Sequence, residues 1–246
     1  MSIAQNENRL PSLCDTWNVM GVSIAMWPDE IYQTVTQRLT GDTMIAYPNN
    51  YNFTPYARLE ENGQYKGAMR EGENRDIYYI PAGCAQEYLL YDFNAKVGDR
   101  LTNLWFGGLA KWWPDGLNAT VTEILDSNPK VYTLEAEIVF SDADEITTAP
   151  VYWIEGVGLT TGPVGKPCFY CLDDYWQAVL CAYKNGEQVY ASDLSEQYGC
   201  EYNYDPFSSI PSVQTSETQC TKLIRDGQFL IIRGDKTYTI TGQKIK

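Results

Sequence analysis

Histidine is absent from this chain of 246 residues, and its absence excludes several classes of chemistry. Catalytic triads and dyads that use an imidazole base cannot form, and neither can metal sites that depend on histidine ligands. A hydrolase built from this sequence would have to work with carboxylates, tyrosine, lysine or cysteine alone. The sequence contains no complete motif of those kinds, so it favours a protein that is not an enzyme, and no cofactor is predicted.

Basic residues are also scarce, because 18 Lys and Arg stand against 32 Asp and Glu, for a formal charge of -14. A surface that is this negative repels phosphate backbones, so we expect no nucleic-acid partner. Long hydrophobic runs are missing as well. None approaches the roughly 20 apolar residues that a membrane-spanning helix needs, so no membrane span is predicted.

Strand patterns dominate what is present, with 19 Tyr and 7 Trp among the residues that suit half-buried sheet faces. Runs with alternating or β-branched and aromatic residues predict ten strands, at Tyr32–Leu39, Tyr56–Leu59, Tyr65–Arg70, Asp76–Ile80, Glu87–Phe93, Ala119–Leu125, Val131–Phe140, Val151–Ile154, Ala178–Tyr183 and Gln188–Ala191. Asn62-Gly63 and Asn185-Gly186 predict tight hairpin turns. The segments "DEIYQTVTQRL" and "DDYWQAVLCAYKN" are compatible with either helix or strand. The expected fold is all-β, an antiparallel β-sandwich or barrel of about ten strands with a small C-terminal β-hairpin unit.

Composition divides the chain into four segments. Residues 1–9 resemble the remnant of an export signal, because Ser2 and Ala4 form the small-residue pattern that precedes signal-peptidase cleavage; an ordinary disordered start is the alternative. Residues 10–204 form the predicted β-rich main domain. Residues 205–220 are rich in Ser, Thr and Pro and predict a linker, and residues 221–246 predict a C-terminal hairpin.

Seven cysteines are present, an odd number, so at least one is free if the others pair. They are Cys14, Cys84, Cys168, Cys171, Cys181, Cys200 and Cys220. The "CFYC" pair lies in a Gly/Pro-rich loop, whereas a thioredoxin-like site would begin a helix after a strand. A four-cysteine zinc site would need a second such pair. Structural or disulfide-bonded thiols are favoured over metal or redox chemistry.

Carboxylates are the remaining candidates for catalysis. Glu155 in "WIEGVG" follows Trp153 by two positions, and a carboxyl group beside an indole ring could act as a general acid. The alternative is a strand-end glutamate bonded to a Gly-rich turn. Asp142, Asp144 and Glu145 form an oxygen-rich loop that could bind calcium, but EF-hand spacing is missing and a solvated acidic loop is favoured. No metal site is therefore predicted.

Aromatic residues are the candidates for ligand binding. "LWFGGLAKWWPDG" carries Trp105, Trp112 and Trp113 in a Gly-rich loop, and Tyr175 with Trp176 is a second aromatic pair. Aromatic rings exposed on a loop bind sugar rings and form contact hot spots in protein interfaces. Packing in a small core beneath the loop is the alternative.

Four stretches of the chain resemble, in the same order, an uncharacterised group of secreted proteins from Bacteroidetes. They are "GDTMI" (Gly41–Ile45), "YKGAMREGENRDIYYIP" (Tyr65–Pro81), "YLLYDFNAKVGD" (Tyr88–Asp99) and "VYWIEGVGLTTGP" (Val151–Pro163). The likeness spans roughly residues 38–192. It implies an exported β-rich protein and supplies no catalytic residue.

The tail from Thr221 to Lys246 resembles the short C-terminal sorting segments of the type IX (Por) secretion system. Two strand-like runs precede "-x-x-G-[RQ]-K-[VI]-", the phrase that Tyr238–Lys244 matches. The resemblance implies recognition of Thr221–Lys246 by export machinery, whereas a final hairpin that completes the main fold is the alternative.

These observations predict a secreted, cell-surface or periplasmic protein. We expect a non-enzymatic binding or interaction module whose unknown ligand could be a glycan or a surface protein. A carboxylate-based carbohydrate-active enzyme that uses Glu155 is one alternative. A structural or assembly component of the cell surface is the other.

Overall fold

The computed structural model of this chain describes residues 10–26, 29–47, 50–107, 116–139, 146–165, 175–206, 220–225, 228–233, 236–239 and 244–245. Two compact units emerge from the chain's contacts, Met1–Pro206 and Phe207–Lys246. Among the described residues, no helix is long and apolar enough to cross a membrane.

The first unit is a sheet of thirteen strands within the described ranges, with one short helix, α1 (Asp193–Tyr198). Its strands are β1 (Thr16–Met26), β2 (Asp29–Tyr47), β3 (Asn50–Glu61), β4 (Gln64–Glu71), β5 (Asp76–Pro81), β6 (Tyr88–Asp92), β7 (Arg100–Leu104), β8 (Leu117–Leu125), β9 (Val131–Val139), β10 (Ile146–Ile154), β11 (Gly158–Leu159), β12 (Tyr175–Lys184) and β13 (Glu187–Ala191). Their order is β11-β10-β9-β8-β7-β6-β5-β4-β3-β2-β1-β12-β13. The pairing of β6 with β7 is parallel, and the other neighbours pair antiparallel. This architecture confirms the predicted all-β, largely antiparallel fold.

The sheet curls so that its two ends meet. The backbone N–H of Val179 in β12 donates to the carbonyl of Thr160, the residue after β11, at 2.8 Å. Nearby, the Trp17 indole N–H in β1 donates to the carbonyl of Val157 at 2.8 Å. A strongly twisted sheet of this size closes on itself when its last strands reach its first ones. The result is a barrel-like body with an inner and an outer face.

Alternation along each strand decides which residues fill the interior. Trp17 and Val19 of β1 belong to the main hydrophobic cluster, whereas Met20 and Val22 pack in a second cluster on the opposite face. The same main cluster holds the largest buried aromatics of the unit, among them Trp153. Residues opposite Trp17 and Val19 on neighbouring strands therefore point inward too.

Both predicted Asn-Gly turns are present, and the two ambiguous segments are strands. Asn62 and Gly63 have φ values of 48° and 80°, and Asn185 and Gly186 have 52° and 82°. Positive φ at both central residues closes a two-residue hairpin with the twist of the flanking strands. The segment that begins at Asp29 forms part of β2, and the segment that contains Tyr175 forms β12. Their β-branched and aromatic residues therefore pack as strands rather than as helices.

The second unit is a four-stranded antiparallel meander. It comprises β14 (Cys220–Arg225), β15 (Gln228–Arg233), β16 (Lys236–Thr239) and β17 (Lys244–Ile245), in that order. The predicted C-terminal hairpin corresponds to β14 and β15, which pair from Cys220↔Arg233 to Arg225↔Gln228. Two further short strands extend it beyond the hairpin that the sequence predicts.

Candidate functional site

Trp105 lies in the core and not on the surface. It is 9% exposed, and its ring centroid lies 5.3 Å from that of Tyr79 and 5.1 Å from that of Tyr88. It follows directly on β7, whose last residue, Leu104, is buried in the same cluster. The packing interpretation therefore applies to Trp105, and its buried ring presents no platform to a ligand. Trp112 and Trp113 lie outside the described residues.

Tyr175 and Trp176 are neighbours in β12 and face opposite sides of the sheet. Trp176 packs on the outer cluster that contains Met20 and Val22. Tyr175 shares the inner face with Val179 of the main core and is 47% exposed. Successive residues of a strand point to opposite faces, so these two rings cannot form one binding platform. Of the two, Tyr175 is the ring that an inner-face ligand could contact.

Gly21 allows the Tyr175 ring to lie against β1. A methyl group at Gly21 would lie 2.7 Å from the Tyr175 hydroxyl oxygen, closer than a Cβ atom normally approaches, so any larger residue there would displace the ring. Gly21 pairs with Gln177 of β12 on one side and with Gln33 of β2 on the other. The ring therefore rests on a strand whose cross-strand neighbours are amides.

One end of the inner face is polar where the rest is apolar. We call it the polar end and define it by Gln33, Gln37, Glu61, Lys66, Tyr175 and Gln177. Gln37 pairs across the strands with both Trp17 and Glu61, which places it on the inner face. Val35 and Leu39, the alternate neighbours of Gln37 along β2, pack on the main core. The mouth of a β-barrel is a common location for a ligand site, and this composition suits a polar ligand.

Two contacts fix the charged groups of the polar end. The Gln37 Nε2 group donates to Glu61 Oε2 at 2.7 Å, and Lys66 Nζ lies 2.7 Å from Glu61 Oε1. Burial raises the pKa of Tyr175, Glu61 adds to that shift, and Gln177 and Lys66 oppose it. Tyr175 therefore keeps its proton at neutral pH and can both donate and accept a hydrogen bond. Because Glu61 and Lys66 are of opposite sign, the polar end has little net charge.

Sequence reasoning singled out Tyr175 but not Gln33 or Gln37. Their signal was available, since both glutamines alternate with Val35 and Leu39 along β2. A polar residue in an otherwise apolar inward series marks either a strand end or a site. Glu61 and Lys66 carried no comparable signal, because they flank a hairpin turn where charged residues are ordinary.

Glu155 is held in an ion-pair network. Its Oε1 accepts a hydrogen bond from the Arg75 guanidinium at 2.7 Å, and Arg75 Nε also donates to Ser12 Oγ at 3.1 Å. The Ser12 hydroxyl donates in turn to Glu71 Oε1 at 2.6 Å. The Arg75 guanidinium and the Ser12 hydroxyl therefore lie between the carboxylates of Glu155 and Glu71, where a glycosidase would have its substrate cleft. A glycosidase needs its carboxylates on either side of the scissile bond.

Asp142, Asp144 and Glu145, the weak calcium candidates, lie outside the described residues. Within the ranges that the structure describes, no three Cys, Asp or Glu side chains are grouped closely enough to hold a metal ion. The described part of the chain therefore adds no candidate metal centre to the sequence prediction.

Comparison of the chain with protein-family models, with curated proteins and with solved structures finds no match to any of them. The function therefore has to be inferred from the side chains themselves.

Proposed function

We propose that this chain is a non-enzymatic binding module that receives a small polar ligand at the polar end, with a glycan as the first candidate. The observation that carries the proposal is the Tyr175 ring, which is 47% exposed although it lies on the inner face of the sheet. Apolar ring faces stack on sugar rings, and the amides and charged groups nearby supply hydrogen bonds to hydroxyls.

The contacts of the carboxylates count against the enzyme alternative. Glu155 is bonded to Arg75, and Glu61 is bonded to Gln37 and to Lys66. A retaining or inverting glycosidase needs one protonated and one ionised carboxyl group that face the substrate. Carboxylates that are engaged by cations and amides stabilise the fold and do not offer a proton to a leaving group.

Export to the cell surface or to the periplasm is part of the proposal. The disulfide between Cys181 and Cys200 supports an oxidising compartment, because such bonds seldom persist in the cytosol. The resemblance of the tail from Thr221 to Lys246 to sorting segments supports the same destination. The formal charge of -14 suits a protein that stays in solution near an anionic membrane surface.

Replacement of Tyr175 by alanine tests the binding proposal. The probes are neutral gluco-, xylo- and manno-hexasaccharides, and the measurement is isothermal titration calorimetry with the full chain. We expect the wild type to bind at least one probe and Tyr175→Ala to lose about tenfold or more in affinity, since truncation of a contact ring costs more than about 1 kcal/mol.

Tyr152→Ala is the matched control, because Tyr152 is 44% exposed in β10 on the face opposite the buried Trp153. The control should bind like the wild type. Equal affinity of Tyr175→Ala and Tyr152→Ala for the probe would show that the ligand does not bind at the polar end. Absence of binding, together with a stable oligomer in sedimentation, would favour the structural or assembly component instead.

A further inference from the structure

Four tyrosine rings meet on the outer face of the first unit. Tyr32 of β2 lies at the centre of the group, because its ring contacts each of the others. The centroid distances from Tyr32 are 5.6 Å to Tyr198, 5.4 Å to Tyr202 and 6.4 Å to Tyr204. Tyr204 is 48% exposed, and the other three residues are half-buried. We call these four residues the tyrosine surface, since clustered tyrosine rings that still reach water are typical of protein interfaces.

Hydrogen bonds of the main chain hold the tyrosine surface in place without using its side chains. The Tyr32 N–H donates to the Tyr204 carbonyl at 2.8 Å, and the Tyr204 N–H donates to the Tyr32 carbonyl at 2.9 Å. The Tyr202 N–H donates to the Thr34 hydroxyl oxygen, and that hydroxyl donates to the Tyr202 carbonyl, each at 2.8 Å. The rings are therefore ordered before a partner arrives, which lowers the entropy that binding costs.

Another tyrosine of the outer face shows which groups accompany such a ring in this protein. The Tyr78 hydroxyl donates to Asp76 Oδ2 at 2.6 Å, two residues earlier in β5. Arg70, the cross-strand partner of Tyr78 in β4, places its guanidinium carbon 4.2 Å from the centre of the Tyr78 ring. Arg58 lies over the Tyr65 ring in the same way, at 4.7 Å. A guanidinium is attracted both by the face of an aromatic ring and by a nearby carboxylate.

Tyr32 has the same kind of carboxylate beside it but no cation. Its hydroxyl donates to Glu30 Oε2, again two residues earlier in the strand. Its neighbours across the sheet are Val22 of β1 and Tyr204, and neither is charged. In the part of the chain that the structure describes, no cation–ring contact includes the tyrosine surface and no ion pair includes Glu30.

The sequence around the tyrosine surface adds further negative charge. Residues 185–206 contain five Asp and Glu but no Lys or Arg, and the acidic residues are Glu187, Asp193, Glu196, Glu201 and Asp205. Glu201 is exposed and directly precedes Tyr202. The rings and the carboxylates therefore attract a cation, and they repel phosphate groups and anionic lipid.

We propose that the tyrosine surface binds an arginine side chain from a basic segment of another protein. The partner supplies the guanidinium that Arg70 supplies to Tyr78 and Asp76. Arginine is favoured over lysine, because its planar group stacks on a ring while its N–H groups bond to a carboxylate such as Glu30. This interface lies on the opposite face of the sheet from the polar end, so it is a second interaction site and does not depend on the function proposed above.

Fluorescence anisotropy with labelled octapeptides tests the proposal on the full chain. One peptide alternates arginine with glycine, and the other alternates lysine with glycine. We expect the arginine peptide to bind more tightly, and Tyr204→Leu to lose about twofold to fivefold in affinity for it, the contribution of a cation over an exposed ring. Tyr152→Leu, at a 44% exposed position of β10, is the matched control and should bind like the wild type. Tyr204→Leu should keep its melting temperature, because the main-chain bonds of Tyr204 remain.

Two double variants separate local charge from net charge. We expect Glu30→Gln, Glu201→Gln to weaken binding of the arginine peptide by about threefold or more, since two ion pairs are lost. Glu123→Gln, Glu135→Gln removes the same charge from exposed positions of β8 and β9 and should bind like the wild type.

The results that would overturn the inference are distinct from those that bear on the polar end. Equal losses in the two double variants, or equal affinity of the wild type for both peptides, would show attraction to the net charge alone. Binding of a neutral hexasaccharide that Tyr204→Leu weakens would assign the tyrosine surface to a glycan instead. Tyr175→Ala should bind the arginine peptide like the wild type, so a failed sugar titration leaves this test intact.

Discussion

At the scale of single residues, hydrogen-bonded side chains on the outer face shift one another's protonation. The Tyr78 hydroxyl donates to Asp76 Oδ2 at 2.6 Å. That bond raises the pKa of Tyr78 to about 12, with burial adding to the shift. Burial alone would raise the pKa of Asp76, but hydrogen bonds from Tyr78 and from backbone amides outweigh it and lower the pKa. Arg70 lies 4.2 Å above the Tyr78 ring and favours the carboxylate as well.

Because its folded-state pKa is lowered, Asp76 stabilises the fold above its ordinary pKa of 3.8, and this stabilisation disappears as the pH falls through the folded value. We expect Asp76→Asn to reduce the free energy of unfolding at pH 7 by about 1 kcal/mol, the typical worth of such a bond. At pH 3 the difference from the wild type should shrink. Urea unfolding at both pH values measures this difference, and Asp99→Asn, which alters a carboxylate that accepts a hydrogen bond from the Lys96 backbone N–H, is compared with it. The same loss of unfolding free energy at pH 7 and at pH 3 would show that the stabilisation does not come from the ionised Asp76 carboxylate.

The candidate site could be predicted from the sequence only in part, and the reason is geometric. Tyr175 was predicted because it lies next to Trp176, and a pair of adjacent aromatic residues can be recognised in the sequence without knowledge of the fold. Whether Tyr175 or Trp176 faces inward depends on which residue of β12 pairs with Ser23 of β1, and that register joins positions about 150 residues apart. Gln37 joins Tyr175 at the polar end only through the pairing of β1 with β2 and with β12, so no local pattern could have joined them.

At the scale of elements, ten of the thirteen strands that the structure describes in the first unit were predicted, whereas β1, β7 and β11 were missed, β1 although its sequence alternates. Glu87–Phe93 and Val131–Phe140 match β6 and β9 within two residues at each end. β7 was missed because "RLTNL" pairs with β8 through only three register positions, and its polar residues resemble a loop. Helix α1 was missed since its six residues bury none of their side chains and so leave no apolar stripe to detect.

A segment at the end of the first unit crosses three strands on the outer face. Cys200 forms a disulfide with Cys181 of β12, and its carbonyl accepts a hydrogen bond from the Asn18 side chain of β1 at 3.0 Å. Further along, Tyr204 and Tyr32 of β2 exchange backbone hydrogen bonds of 2.8 and 2.9 Å. Tyr32, Tyr198 and Tyr202 pack their rings together beneath it, with centroids 4.8–5.6 Å apart. The disulfide thus anchors a segment that shields the outer cluster.

Removal of this disulfide should destabilise the first unit. The two cysteines are separated by 19 positions, and a cross-link that closes a loop of this length contributes about 3 kcal/mol. We expect the double variant Cys181→Ala, Cys200→Ala to lose about that amount in urea unfolding under oxidising conditions. Cys84→Ala is the control, since Cys84 is a free and exposed thiol and its removal should change nothing. Equal stability of the double variant and the control would show that the segment is held by its hydrogen bonds and rings alone.

At the scale of the whole molecule, charge is divided unequally along the chain. Six of the 18 basic residues fall between Thr221 and Lys246, beside only two acidic residues, Asp226 and Asp235. The tail is therefore basic, and the chain before it is strongly acidic. A basic four-stranded unit suits recognition by a separate partner, through charge and through the addition of a strand to its sheet.

Deletion of residues 221–246 tests whether that partner is export machinery. In a bacterium with a type IX secretion system, we expect the full chain to reach the cell surface or the medium and the shortened chain to accumulate in the periplasm. Immunoblots of separated fractions measure the distribution. The shortened chain should keep the melting temperature of the first unit if that unit folds by itself, as the division of the chain into two compact units suggests. Equal delivery of both chains to the outside would contradict an address role for the tail. If the shortened chain stays in the periplasm and also has a lowered melting temperature, the tail contributes to folding instead, because a misfolded chain is retained whether or not it has a sorting signal.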